Sequence, residues 1–391
     1  MLRNIVLLLL LCLIYSLEAS DSDKCVTVNV NNLNDLVLKT FRPKPCMTVN
    51  INGSGKMEIL SSDKFKTPLS NTPLAQVRIT GGTFSIDPNF FKQYRHSLDV
   101  VTLENNNIPK LGYHVFQDLI LRQLELRSNN ILFLSNPFYN CSIYNLDLKH
   151  NKIDHLSDIT FSYTRLFHVN LANNSISIIE PHSFPDTVIT IQLSHNLLSS
   201  IGQNIFSNLF NLVLLCLAHN RLEYINFEKS DLGKLEDLDL SFNSINNLNQ
   251  AGFSSLRNLK RLNLRNNHIK SISATNLQTS KLKILDISFN FFINFPHASL
   301  PESLNVIYVF GNPWNCKCLF DIEDSFSGNV VSNTMDCKLS QIVNAPICIS
   351  YGGLCVDDRN NTLINAFSKE VSLYSNDCRD LLQNVIFDYE H

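Results

Sequence analysis

An eleven-residue pattern repeated along the chain constrains its fold more than any other feature. It reads LDVVTLENNNI from Leu98, LRQLELRSNNI from Leu121, IYNLDLKHNKI from Ile143 and LFHVNLANNSI from Leu166. It continues as VITIQLSHNLL from Val188, LVLLCLAHNRL from Leu212, LEDLDLSFNSI from Leu235 and LKRLNLRNNHI from Leu259. LKILDISFNFF from Leu282 and LNVIYVFGNPW from Leu304 close the run, and LAQVRITGGTF from Leu74 precedes it with Gly82 in place of Asn. Successive starts are 22 to 24 residues apart. A unit this short cannot bury its own apolar side chains, so neighbours must stack into one continuous core. By length alone, 391 residues suggest two or three domains. The unbroken period from Leu74 to Trp314, with no linker, predicts a single solenoid instead.

Within each unit the apolar first, fourth and sixth positions predict a short strand, because alternation sends the third, fifth and seventh side chains to the opposite face. The Asn three places after the sixth position both donates and accepts, so it can satisfy the backbone of a buried turn. Asn106, Asn129, Asn151, Asn174, Asn196, Asn220, Asn243, Asn267, Asn290 and Asn312 are expected to stack as a ladder. Phe116, Phe161, Phe184, Phe206 and Phe253 share one register beyond it and predict an internal spine on the convex side.

Eleven matches in register resemble the leucine-rich repeat family over residues 74 to 314. The resemblance implies an α/β solenoid with a curved parallel sheet on its concave face. Asn312-Pro313-Trp314-Asn315-Cys316-Lys317-Cys318 resembles the C-terminal flanking motif of extracellular members. Repeat type and cap are similar to Toll-like receptor ectodomains and to soluble insect immune proteins of this family. The tail around Cys355 resembles the cysteine-rich segment of the mosquito immune subset, without its adjacent Cys-Cys pair or a following heptad run. This likeness implies recognition of microbial surfaces or of complement-like proteins.

Residues 1–20 read as a secretory signal peptide: Arg3, the apolar run Ile5 to Tyr15, then the small residues Ala19 and Ser20. A membrane anchor would need a longer run to cross ~30 Å of hydrocarbon. Residues 21–73 read as an N-terminal cap with degenerate repeats, 74–314 as the repeats, and 315–391 as a cysteine-rich cap and tail. Secretion places the cysteines where disulfides form. Cys25 and Cys46 are natural partners, and Cys316, Cys318, Cys337, Cys348, Cys355 and Cys378 form a C-terminal set with fifteen possible pairings. Cys141 and Cys216 are left over, three repeats apart and too distant for a bridge at ~4.8 Å per strand. Two unreactive thiols are the plain reading; alternatively Cys216, expected to point outward, links two chains. Asn52, Asn140, Asn173 and Asn360 head glycosylation sequons.

No catalytic motif stands out. Residues Gly53 to Lys56 lack the spacing of a phosphate loop, and Asp237 and Asp239 are expected on an open face without a cleft to shift their titration. His195 and His219 fall in adjacent repeats, close enough to share a metal, yet at a position where the family commonly places His. No cofactor and no metal is expected. With 32 basic against 35 acidic residues, net charge -3, nothing suggests phosphate-driven nucleic-acid binding.

The candidate site is therefore the concave face: Asp147, Asn170, Gln192, Leu214, Asp237, Asp239, Arg261, Asn263, Arg265, Asp286 and Tyr308. Mixed charge with apolar anchors is the make-up of a protein-binding surface. The expected function is a secreted, non-enzymatic binding protein, monomeric or homodimeric, for a protein or microbial-surface ligand in innate immunity. The alternative is a matrix or adhesion protein; its proteoglycan branch usually carries four N-terminal cysteines, where this chain offers Cys25 and Cys46. Catalysis is the weakest of the three readings.

Overall fold

The computed structural model describes residues 26–30, 46–51, 57–61 and 74–331, apart from short stretches at 203, 229, 249–252, 273–280, 296–299 and 327. The signal segment, Cys25, the side chain of Cys46, Cys337, Cys348, Cys355, Cys378, Asn52 and Asn360 lie outside the described residues.

Each repeat contributes one strand to a parallel sheet that holds fourteen strands among the described residues. The strands follow sequence order, so every coil of chain hydrogen-bonds only to the coils before and after it. Beyond the repeats read from sequence, Val26–Val30 and Cys46–Ile51 join at the front, and Asn329–Val331 at the back. The register matches leucine to leucine: Leu215 pairs with Leu238, Leu238 with Leu262, and Leu262 with Leu285. These side chains are buried in a core that runs the length of the described coils.

The asparagine ladder forms as expected. Asn196 Nδ2 donates to the carbonyls of Leu193 and Leu171, each at 3.0 Å, and its Oδ1 accepts from Ile176 N–H at 2.9 Å. Asn220, Asn243, Asn267 and Asn290 repeat these contacts one coil further on each time. The residue before each ladder Asn takes a left-handed backbone conformation, from Asn105 through His150, Asn173, His195, His219, Phe242 and Phe289. That conformation costs a non-glycine residue ~1–2 kcal/mol. It turns the amide toward the next coil, where His195 N–H reaches Ala218 O at 3.0 Å and His219 N–H reaches Ser241 O at 2.9 Å. Gly81 occupies the same place at φ 79°, and a Cβ there would lie 2.4 Å from Ile51 O.

The phenylalanine spine is longer than the shared register suggests. Phe91, Phe116, Phe138, Phe161 and Phe184 stack in sequence, with ring centroids 5.2 to 5.9 Å apart. Phe206, Phe227 and Phe253 continue the line at 6.3 and 6.2 Å. At the C-terminal end, Trp314 is fully buried, stacks on Phe292 at 5.9 Å and donates its Nε1–H to Val309 O at 2.6 Å. The helix Cys316–Ser325 follows, capped by Asn315, whose side chain accepts from Lys317 N–H. Its Leu319 and Ile322 close over the last coil. Cys316 and Cys318 are each disulfide-bonded.

Candidate functional site

Strand pairing lines up the third, fifth and seventh positions as three columns on the concave face. The central column runs Asp147, Asn170, Gln192, Cys216, Asp239, Asn263, Asp286 and Tyr308, each in register with the next. Leu214, Asp237 and Arg261 adjoin it on the preceding column. All the residues expected to form the face lie on it, but not all of them meet water. Leu214, Asp237, Asn263, Arg265 and Asp286 are buried, while Asp147, Asn170, Gln192, Asp239, Arg261 and Tyr308 are partly exposed.

The expectation of an open face that leaves carboxylates unshifted is therefore corrected. Neighbouring side chains on strands this closely spaced cover one another, and burial pushes both Asp237 and Asp239 up to about 6. Asp237 pairs with Arg261, which opposes the shift. Asp239 accepts from Ser241 N–H at 2.9 Å and bonds the side chain of Asn263, while nearby Asp286 adds to the upward shift. Asp286 is also raised by burial, against the pull of Arg265, and accepts from the backbone and hydroxyl of Ser288. Burial raises Asp147, with Lys149 N–H donating to it at 3.0 Å.

Cys216 needs a second correction. It takes the concave position expected of it but is only 6% exposed, packed with Leu214 and Ala218 as a small apolar island between Gln192 and Asp239. A sulfur so covered cannot reach another chain without local opening. Cys141 is buried too, with its thiol against Phe116 O, and burial pushes it up to about 12.

The N-terminal part of the face holds a charged network that the candidate residues did not include. Glu104, buried, accepts from Arg78 at 2.8 Å and from Arg127 at 2.6 Å. The signal was available, since Glu104 and Arg127 occupy the seventh position of LDVVTLENNNI and LRQLELRSNNI. Toward the other end, Arg265 lies over the rings of Phe289 and Phe310, at 4.7 and 5.3 Å from their centroids.

Along the left-handed turns, the rings of His195, His219 and Phe242 stack at 4.0 and 4.3 Å. Burial brings His219 down to about 4, and His168, which bonds Thr190 at 2.9 Å, falls to about 4 for the same reason. Both are neutral at pH 7. Parallel stacked rings keep their nitrogen lone pairs side by side, so His195 and His219 do not converge on one ion. Among the described residues no three His, Cys, Asp or Glu side chains are grouped as metal ligands. The sequon residue Asn140 is exposed, and Asn173 is half-buried at a left-handed turn.

Against this geometry, the family description "BspA type Leucine rich repeat region" matches residues 84–213 in six copies, and "Leucine rich repeat" matches residues 233–292. The chain is a leucine-rich repeat solenoid. Bovine osteomodulin is 27% identical to it over 195 residues, covering 47% of this chain and 44% of osteomodulin. Chicken tsukushi is 30% identical over 133 residues, covering 30% of this chain and 36% of tsukushi. The solenoid thus spans less than half the length of the curated relatives it matches. A chain of the Drosophila Toll–Spatzle complex shares the fold at a TM-score of 0.60 and 24% identity, over 69% of this chain and 38% of that one. Among the described residues no helix is long and apolar enough to cross a membrane.

Proposed function

We propose that this solenoid is a secreted, non-enzymatic binding protein whose concave face takes another extracellular protein or a microbial-surface ligand. The observation that carries the reading is the face itself. Fourteen strands in sequence order hold out a continuous surface with ion-paired, apolar and aromatic sections. Such a mixture suits a broad contact with another macromolecule. Disulfide closure of both ends, glycans on the sequons and a cleaved leader belong to the same reading.

Two roles share this mechanism. A matrix or adhesion role is favoured by the sequence match to osteomodulin and tsukushi, which are secreted extracellular proteins. An innate-immune role rests on the family resemblance and on the fold shared with Toll.

Capture from extracellular fluid tests the site. Gln192→Arg and Ile284→Arg place long charged side chains at partly exposed positions two coils to either side of Asp237 and Asp239. Both variants are expected to lose the partner that the wild type recovers. Recovery of the same partner by both would move the binding site off the concave face.

A further inference from the structure

Strand alternation leaves the second position of each repeat outside as well as the third, and these second residues form a line of their own along the flank where the strands begin. Their backbones are joined coil to coil. Arg122 N–H donates to Asp99 O at 2.9 Å, Ile189 to Phe167 at 2.7 Å, Val213 to Ile189 at 2.8 Å, and Lys260 to Glu236 at 2.8 Å. After Ala75 the line carries an acid and a base, Asp99 paired with Arg122 at 3.1 Å. It turns apolar through Tyr144, Phe167, Ile189 and Val213, with the Tyr144 and Phe167 rings 5.6 Å apart. An acid and a base follow again, Glu236 paired with Lys260 at 2.6 Å, and the line then runs on to Lys283. Beside its first half lies a surface depression of about 470 Å³, lined by Ile120, Tyr144 and Phe167 and rimmed by Asp99 and Arg122. Tyr144 is 49% exposed there and Ile120 72%.

We propose that this flank pairs with the same flank of a second copy of the chain, antiparallel, about a two-fold axis passing between Phe167 and Ile189. Charge complementarity selects both the occupant and its orientation. Reversing the line sets Asp99 against the second copy's Lys260 and Arg122 against its Glu236. The same operation brings Tyr144 to Val213 and Phe167 to Ile189, and sets Lys283 against Ala75. Each end then holds four charges of alternating sign, and the middle is an apolar contact, the arrangement of an interface core with a charged rim. A parallel arrangement would instead set Asp99, Arg122, Glu236 and Lys260 each against its own like charge. The neighbouring line, two residues earlier in each repeat, also meets without conflict: Arg165 faces Thr187, and Ile120 faces Lys234.

The curvature permits the contact. A two-fold axis along the radius of the arc maps the flank onto itself reversed. The two arcs then meet along eight coils, ~34 Å at seven strand spacings of ~4.8 Å. The interface is isologous and closed. Both concave faces stay open, so the pairing does not depend on what they bind.

Sedimentation velocity and light scattering on the secreted full chain test the pairing. The wild type is expected to dimerise at ~micromolar concentration. Arg122→Glu and Glu236→Arg are each expected to weaken the dimer by at least about tenfold, because each places like charges in register. The double variant restores opposite charges across the axis and is expected to recover the dimer, which separates a lost contact from a lost fold. Should a single reversal fail to be secreted, Tyr144→Ser reads the same contact without altering charge. A wild type that stays monomeric to ~100 µM overturns the proposal. So does a dimer indifferent to both reversals, or a double variant as weak as the singles.

Discussion

Asp239 sits mid-sheet between Cys216 and Asn263, with Asp286 one strand further on, and its carboxyl is held up at about 6. Asp237 beside it is held at a similar value. In the unfolded chain such groups release their protons near pH 4. Between about 4 and about 6 the native state therefore binds more protons than the unfolded state, and the stability these groups contribute falls as pH rises through that window. Asp239→Asn is expected to flatten that part of the profile and to raise the thermal midpoint at pH 7 relative to wild type, with little difference near pH 4. Thermal melts from pH 4 to 8 check this; an unchanged profile would mean that Asp239 titrates as an exposed carboxyl. At this scale the sequence was legible in direction but not in depth. Alternation assigned Asp286, Asn263 and Arg265 to the concave side, yet no period tells how far a neighbour one strand away will cover them.

Among the elements, the strands and the asparagine turns follow a fixed spacing and were readable for that reason. The convex arc does not. Phe116 and Phe161 stand ten residues past their ladder Asn, Phe138 nine and Phe227 seven, so counting alone passes over Phe138 and Phe227. The rings meet because the arc between turn and spine can lengthen or shorten while its ends stay pinned by the turn and the next strand. Phe138, fully buried between Phe116 and Phe161, is as much part of the spine as either. Phe138→Ala is expected to cost about 3–5 kcal/mol, as for a large ring removed from a packed core. Chemical denaturation measures it; a loss under ~1 kcal/mol would place the ring outside the load of the core.

The whole molecule is held by contacts between adjacent coils, so its stability is close to a sum of neighbour terms. Damage at one end should therefore stay near that end. Trp314→Ala removes the ring that stacks on Phe292 and the donor to Val309 O. Hydrogen exchange is expected to accelerate in the coils from Leu282 to Trp314 while those from Leu98 to Leu171 keep wild-type protection. Uniform loss across the sheet would instead show a single cooperative unit. The unbroken period disclosed the solenoid; the strand Asn329–Val331, which extends the sheet at the back, has no asparagine at the ladder position and was harder to foresee.

Every ladder asparagine speaks to the coil before it in the same two bonds, giving Nδ2 to a carbonyl there and taking an N–H on Oδ1, whatever side chains decorate the surface. A duplicated stretch such as Arg221 to Asn243 would meet familiar acceptors on either side and slot in without rewiring its hosts. Genes for such chains can thus grow or shrink by whole turns, adding a fresh row of outward positions each time, free to vary while the scaffold beneath them stays the same.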